Sequence, residues 1–274
     1  MSRKPMSVVM LVFLLTTLGE GFIVPTFGCG FASSVSSVPA AAAAVSSSVP
    51  ARPDDTARIS GRVTDFENRP IAGASVLLKD AGFETVAAAT SGADGRYSMT
   101  APKGDYMALL AIKDYQIRFL EYWAWSVPLD GDLEINPRFD RLEVYAMNAW
   151  RPQGGYPSYQ IYFRPMSLTR ARKIMTEAGG QEGLKKLSHI DIAPVLTAGD
   201  IAVTIDGEAV GILKVNKVLE AAGPTQDMIG YVVQTELPKG KTPGGHRVIT
   251  VVITDRETGE KGEGCLFLDP RRLM

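Results

Sequence analysis

The chain has 274 residues, 45% hydrophobic and 22% charged, which excludes a disordered chain, a collagen and a multi-span membrane protein. Its 29 basic and 30 acidic residues leave a net charge of −1, so nothing draws it generally to nucleic acid or anionic lipid. Two cysteines and two histidines exclude a disulfide-dense scaffold, a four-thiolate zinc site and a three-imidazole metal centre.

Residues 1–32 read as an export signal. Arg3 and Lys4 precede an apolar run from Met6 to Leu18, too short to span a bilayer but right for a signal core. Gly19, Glu20, Gly21 and Pro25 interrupt any longer anchor. Two ways of processing stay open. Gly30-Phe31-Ala32 offers small residues to an ordinary signal peptidase. Thr26-Phe27-Gly28-Cys29 resembles a bacterial lipobox, with Cys29 as the lipid attachment residue. Residues 33–56, rich in Ser, Ala, Val and Pro, read as a flexible tether. The expected address is the bacterial periplasm, the outer membrane as a lipoprotein, or the medium. Membrane contact is expected only through the signal or a lipid anchor.

From Arg58 the pattern becomes that of strands. Ile59 to Val63 alternates apolar and polar residues, and Asp65-Phe66-Glu67-Asn68-Arg69-Pro70 is a turn cluster. Ala74 to Lys79 and Thr85 to Ala89 follow as strands. Ser91-Gly92-Ala93-Asp94-Gly95 predicts a tight turn, its Asp-Gly step supplying positive φ. With Arg96 to Thr100 and Tyr106 to Ile112, strands recur every 8–12 residues or so, the rhythm of an all-β sandwich.

Four pieces of this stretch follow one another in order: Ile59-Ser60-Gly61-Arg62-Val63-Thr64-Asp65, Arg69-Pro70-Ile71-Ala72-Gly73-Ala74-Ser75-Val76, Ala93-Asp94-Gly95-Arg96-Tyr97-Ser98 and Pro102-Lys103-Gly104-Asp105-Tyr106. Together they resemble a carboxypeptidase regulatory-like domain of the prealbumin-like β-sandwich type, over residues 57–113. The resemblance implies a first module at 57–127 and an accessory role as spacer, docking domain or stabiliser of a neighbour. Gly61, Gly73 and Gly104 are expected at tight turns, Pro70 at a strand start, and Tyr97 and Tyr106 as plugs of the sandwich. It does not imply a peptidase, because His189 and His246 belong to no HxxE or HExxH motif. Related sandwiches close Lys–Asn isopeptide bonds; Lys79 lies on a strand, but no matching terminal Asn and acidic catalyst accompany it.

Residues 128–187 are expected to hold an aromatic strand segment and a helical insert. All three tryptophans and six of the nine tyrosines fall between 115 and 165. On a strand, Phe119, Glu121, Trp123 and Trp125 share one face, and Leu120, Tyr122 and Ala124 the other. Arg141 to Trp150 and Ser158 to Arg164 read as further strands, joined by a turn-rich loop. Two readings stand. In one, Trp123, Trp125, Trp150, Tyr156 and Arg151 form a binding platform on which sugar rings stack, with Asp130, Asp132 and Asn136 bonding hydroxyls. In the other, the aromatics are sandwich core and interface. The acidic string Asp130, Asp132, Glu134 and Asp140 lacks the EF-hand order and reads as a solvated turn. Ser167 is a fair N-cap for a helix whose Leu168, Ala171, Ile174 and Met175 share a face, ended by Gly179-Gly180. Arg170, Arg172, Lys173, Lys185 and Lys186 make this insert basic. They read as a solvated face, with phosphate or lipid contact as the sharper alternative.

Strands resume over 188–274, at Ile190–Val195, Ile201–Ile205, Val210–Val218, Met228–Leu237, Val248–Thr254 and Gly264–Leu268. Asp206-Gly207 and Glu257-Thr258-Gly259-Glu260-Lys261-Gly262 predict hairpin turns. Asp200 to Gly207, with the late Ile253-Thr254-Asp255, is similar to bacterial immunoglobulin-like modules. Cys265, inside an apolar run, reads as a small buried hydrophobe.

The expected fold is mainly β: two β-sandwich modules with a short helical insert, after a signal peptide and a disordered tether. No nucleophile elbow, P-loop or dinucleotide fingerprint is present, and no metal or cofactor is implied. The function these features favour is a non-catalytic exported or envelope-anchored protein. Its modules would contact an envelope or extracellular protein; the alternative is carbohydrate or cell-wall binding through residues 119–165. Protein docking predicts an exposed apolar patch or open strand edge, sugar binding predicts exposed coplanar indoles, and a hydrolase predicts buried carboxylates in a cleft.

Overall fold

A computed structural model describes residues 55–222, 225–240 and 245–269. The signal, Cys29 and the tether up to residue 54 lie outside the described residues. The fold is mainly β. In chain order the first strands are β1 (Thr56–Arg62), β2 (Ser75–Lys79), β3 (Thr85–Thr90), β4 (Arg96–Pro102), β5 (Gly104–Ile112), β6 (Tyr122–Leu129) and β7 (Leu133–Glu134). Then come β8 (Leu142–Trp150), β9 (Tyr159–Ser167), helices α1 (Leu168–Glu177) and α2 (Gln181–Leu184), and β10 (His189–Ile190). The last are β11 (Ile201–Ile205), β12 (Glu208–Ala209), β13 (Ile212–Ala221), β14 (Asp227–Thr235), β15 (Arg247–Thr254) and β16 (Lys261–Leu268).

These strands form three sheets. The largest runs β12-β11-β15-β16-β6-β5-β2-β3. Within it β16 pairs in parallel with β6, at Gly264–Trp123, Cys265–Ala124 and Leu266–Trp125. Strands from 57–127 and from 188–274 therefore share one sheet. A small sheet, β4-β1-β7, covers one face of it. A five-stranded sheet, in which β14 pairs with β13, β10 and β9, and β9 with β8, covers the other.

The burial pattern follows from this layering. In β5, β6 and β16 successive side chains enter different cores. Leu109, Ala111, Tyr122, Ala124, Cys265 and Phe267 pack with Ile59, Tyr97 and Met99 of the small sheet. Ala108, Leu110, Trp123, Trp125, Leu266 and Leu268 pack with Ile161, Phe163, Tyr231 and Val233 of the five-stranded sheet. A strand covered on both faces reads as a continuous apolar run, as the second half of β16, Cys265-Leu266-Phe267-Leu268, does. Each large side chain so buried contributes about 1.5–3 kcal/mol. β15, by contrast, alternates buried Arg247, Ile249, Val251 and Ile253 with half-buried neighbours.

Glycines set how closely the layers approach. On β16 a Cβ at Gly262 would lie 2.3 Å from the Leu142 carbonyl oxygen of β8, and one at Gly264 would lie 2.8 Å from the Val144 and Met147 side chains. Gly262→Ala is therefore expected to lower the unfolding free energy by about 1–3 kcal/mol, measured by urea unfolding. Gly264→Ala meets the movable Met147 sulfur but also the Val144 Cβ at 2.9 Å, which is fixed to β8, so it too is expected to destabilise.

Several details depart from the sequence expectations. Gly61 is not at a turn: it lies inside β1, where a Cβ would fall 1.8 Å from the Ile135 carbonyl oxygen. It is needed for close backbone approach. Gly73 does adopt a positive φ of 70°. Pro70 starts no long strand and makes only an isolated bridge to Thr64. Of Ile190–Val195 only the first residue pairs, with Met228. Ile192 instead accepts from the Ser167 N–H, and Pro194 has none to offer. Tyr97 and Tyr106 are buried, their hydroxyls donating to the carbonyls of Ile135 and Pro102. Ser167 caps α1 by accepting from the Arg170 N–H. No helix among the described residues is long and apolar enough to cross a membrane.

Candidate functional site

Trp123 and Trp125 stand two residues apart on β6 and stack at 5.0 Å with planes 14° apart. Tyr145 meets both edge-on, at 5.3 Å and 5.2 Å, and Phe83 closes the other side at 6.3 Å. The two rings are nearly parallel but enclosed: Trp123 is 1% exposed and Trp125 8%. Neither indole offers a face to a sugar.

Around Trp123 lies a polar cluster that sequence reasoning missed. Its indole N–H donates to Glu121 at 3.1 Å and to Glu143 at 2.9 Å. Both carboxyls are buried. Burial pushes each above the ordinary carboxylate range, and Glu121 raises Glu143 further. Glu143 Oε2 and the Tyr115 hydroxyl have no hydrogen-bond partner among the described residues. The Arg164 guanidinium, whose charge acts on Glu143, is also buried and lies over the Tyr145 ring at 5.5 Å. Its hydrogen bonds go instead to Glu220 of β13, which Tyr162 also reaches. Gly230 of β14 makes this possible, because a Cβ there would lie 2.7 Å from the Tyr162 ring. The one sequence signal was Glu121 itself, a charge placed by strand alternation on the face of two tryptophans. Neither glutamate lines the apolar cavity beneath α1 or the charged cleft near Asp65, and both are buried in the interior.

The remaining predicted site residues reach the surface together at one end of the five-stranded sheet. Trp150 and Tyr156 are exposed, and Arg151 lies 6.0 Å over the Tyr159 ring. Trp150 is in register with Gln160, Gln160 with Gln234, and Gln234 with Lys214. Directly paired residues share a face, so one indole, two amides and an ammonium form a row. The acidic string is dispersed. Asp132 binds Arg58, Glu134 binds Asn136, and Asp140 accepts from the Lys261 N–H. Lys79 donates to Thr85. Cys265 is buried, which pushes its thiol up to about 12.

The same sheet ends in β13, whose ten residues pair only with β14 among the described residues. No strand among the described residues pairs with its other edge. Leu219 is 69% exposed and Leu213 41%. Lys217 is tied to Asp191 at 3.2 Å and Glu220 to Arg164, so the strand is fixed in place.

Residues 58–117 match the family model of the carboxypeptidase regulatory-like domain, and the chain carries that domain there. No curated protein matches the chain. Among solved structures it is similar to a DUF3823 family protein from Bacteroides ovatus, at 10% identity over 78% of this chain and 100% of that one, with a TM-score of 0.25. A DUF3823 family protein from Parabacteroides merdae shares 12% identity over 78% and 98%, also at 0.25. BcpA, the major pilin subunit of Bacillus cereus, shares 10% over 78% and 69%, at 0.24. With similarity this distant, the chain's own surface has to carry the functional argument.

Proposed function

We propose that this chain is a non-catalytic exported or envelope-anchored protein whose β-sandwich modules mediate protein interaction. The observation that supports it is the second edge of β13, which no strand among the described residues pairs. A long unpaired edge presents a row of backbone donors and acceptors, and an extended partner segment can add a strand there. Lys214 and Lys217 guard such an edge against indiscriminate pairing, while exposed Leu213 and Leu219 supply apolar anchors.

The test is the chain with Leu213→Lys and Leu219→Lys, exported from a bacterial host and cross-linked in the envelope. Both leucines are exposed, so thermal unfolding should not change. A partner cross-linked by the native chain should be weakened at least about tenfold in the variant. Equal capture by native chain and variant removes β13 as the docking edge.

The row of Trp150, Gln160 and Gln234 favours a second reading, contact with an envelope polysaccharide, since an exposed indole beside two amides suits a sugar ring. Saturable quenching by a purified polysaccharide, with capture of protein absent, decides for it.

A further inference from the structure

A cavity of about 310 Å³ lies beneath α1, within the size range of small-molecule sites. Leu120, Ile190 and Ile192 form its floor, all buried. Ile174 and Met175 of α1 and Leu184 of α2 form its walls. The hydroxyl on the inner wall, that of Ser167, is already committed to Glu260. Such a lining offers water few partners and favours an apolar guest. Met166 and Met175 add unbranched, adaptable side chains suited to a flexible one.

The mouth is different. Gln116, Arg172 and Thr176 stand there. Arg172 is exposed, and its guanidinium donates to the carbonyl oxygens of Gln116 at 2.6 Å and Ile117 at 2.7 Å. No carboxylate among the described residues pairs with it. Lys173, exposed on the same turn, adds charge of the same sign. An apolar interior with an unneutralised cation at its entrance matches a ligand with one apolar tail and one anionic head.

We propose that this cavity binds a free fatty-acid-class ligand: one unbranched acyl chain buried beneath α1, its carboxylate at Arg172. The site is separate from the β13 edge and does not depend on it.

The experiment is calorimetric titration of the full chain with dodecanoate. Dodecanol and phosphatidylglycerol vesicles are compared. Ala171→Phe, which fills the cavity from α1, and Arg172→Gln, which removes the cation, are the variants. The native chain should bind dodecanoate saturably, one per chain. Ala171→Phe should abolish binding. Arg172→Gln, or dodecanol as ligand, should weaken it about tenfold, the worth of one charge-assisted contact. Thermal unfolding confirms that each variant is folded, and Met175→Trp serves as the blocking variant if Ala171→Phe is not. Absence of saturable binding by the native chain overturns the proposal. So does undiminished binding by a folded blocking variant, equal affinity for dodecanol, or binding to vesicles without binding to dodecanoate. Leu213→Lys with Leu219→Lys should bind dodecanoate as the native chain does, which keeps this result distinct from the fate of the docking edge.

Discussion

Glu260→Ala is expected to lower the unfolding free energy by about 3 kcal/mol. The Glu260 carboxylate is buried in the turn between β15 and β16. It accepts from Arg141 Nε at 3.0 Å, from the Thr169 hydroxyl at 2.6 Å and N–H at 3.2 Å, and from the Ser167 hydroxyl. Thr169 lies in the first turn of α1, so a negative charge meets the helix end whose N–H groups have no partners within the helix. Asp255, five residues earlier, holds the Arg170 guanidinium at 3.1 Å from the same turn. Two acids on one hairpin thus fasten α1 to the central sheet. Removing one leaves two hydroxyls, an N–H and a guanidinium without their common acceptor. Urea unfolding measures the loss. Glu260→Gln keeps an acceptor but not the charge, and should lose less. Because α1 walls the cavity, Glu260→Ala should weaken dodecanoate binding as well. A change in stability below about 0.5 kcal/mol would show that the carboxylate does not fasten the helix.

What the sequence made legible was mostly local. The Asp206-Gly207 turn forms with φ of 54° and 80°, as a two-residue hairpin turn requires. Ser167 and the apolar face behind it mark α1 correctly. The ordered pieces from Ile59 to Tyr106 identify the regulatory-like domain that the family model matches at 58–117. What escaped depends on distant pairing. Nothing near Trp123 announces that Gly264, far along the chain, lies beside it in a parallel ladder. Without that pairing, aromatic residues suited to a sugar platform cannot be told from the same residues in a core. Gly61 shows the same limit, since a glycine for close approach and a glycine for a turn look alike in sequence. Glu143 carried no local sign of burial at all, because its neighbours on β8 are ordinary strand residues.

That buried glutamate sets the second large effect, a fall in stability as pH rises. Glu121 and Glu143 share one indole N–H, and Arg164, whose charge acts on Glu143, is bonded to Glu220. Burial favours the protonated form of both, against the opposing pull of the Lys79 charge on Glu121, and repulsion from Glu121 adds to it at Glu143, so both carboxyls are held above the ordinary glutamate value of 4.5. At these two groups the folded chain therefore holds protons that the unfolded chain has released once pH exceeds 4.5. The stability this gives is fully present below that value and is lost as pH climbs through the raised folded values. Each extra proton steepens the decline by up to about 1.4 kcal/mol per pH unit. Glu263 is raised by burial as well, so the whole protein should decline more steeply than the pair alone. Glu143→Gln isolates the pair, because its amide still accepts from the Trp123 N–H but cannot ionise. Urea unfolding between about pH 5 and about pH 7 should show a shallower decline in Glu143→Gln than in the native chain, and greater stability at the upper end. Parallel curves for the two proteins would mean that Glu143 gains no proton on folding. The cluster's purpose would then lie in positioning Tyr115 and Tyr145, which pack against the hydrophobic cluster beneath α1.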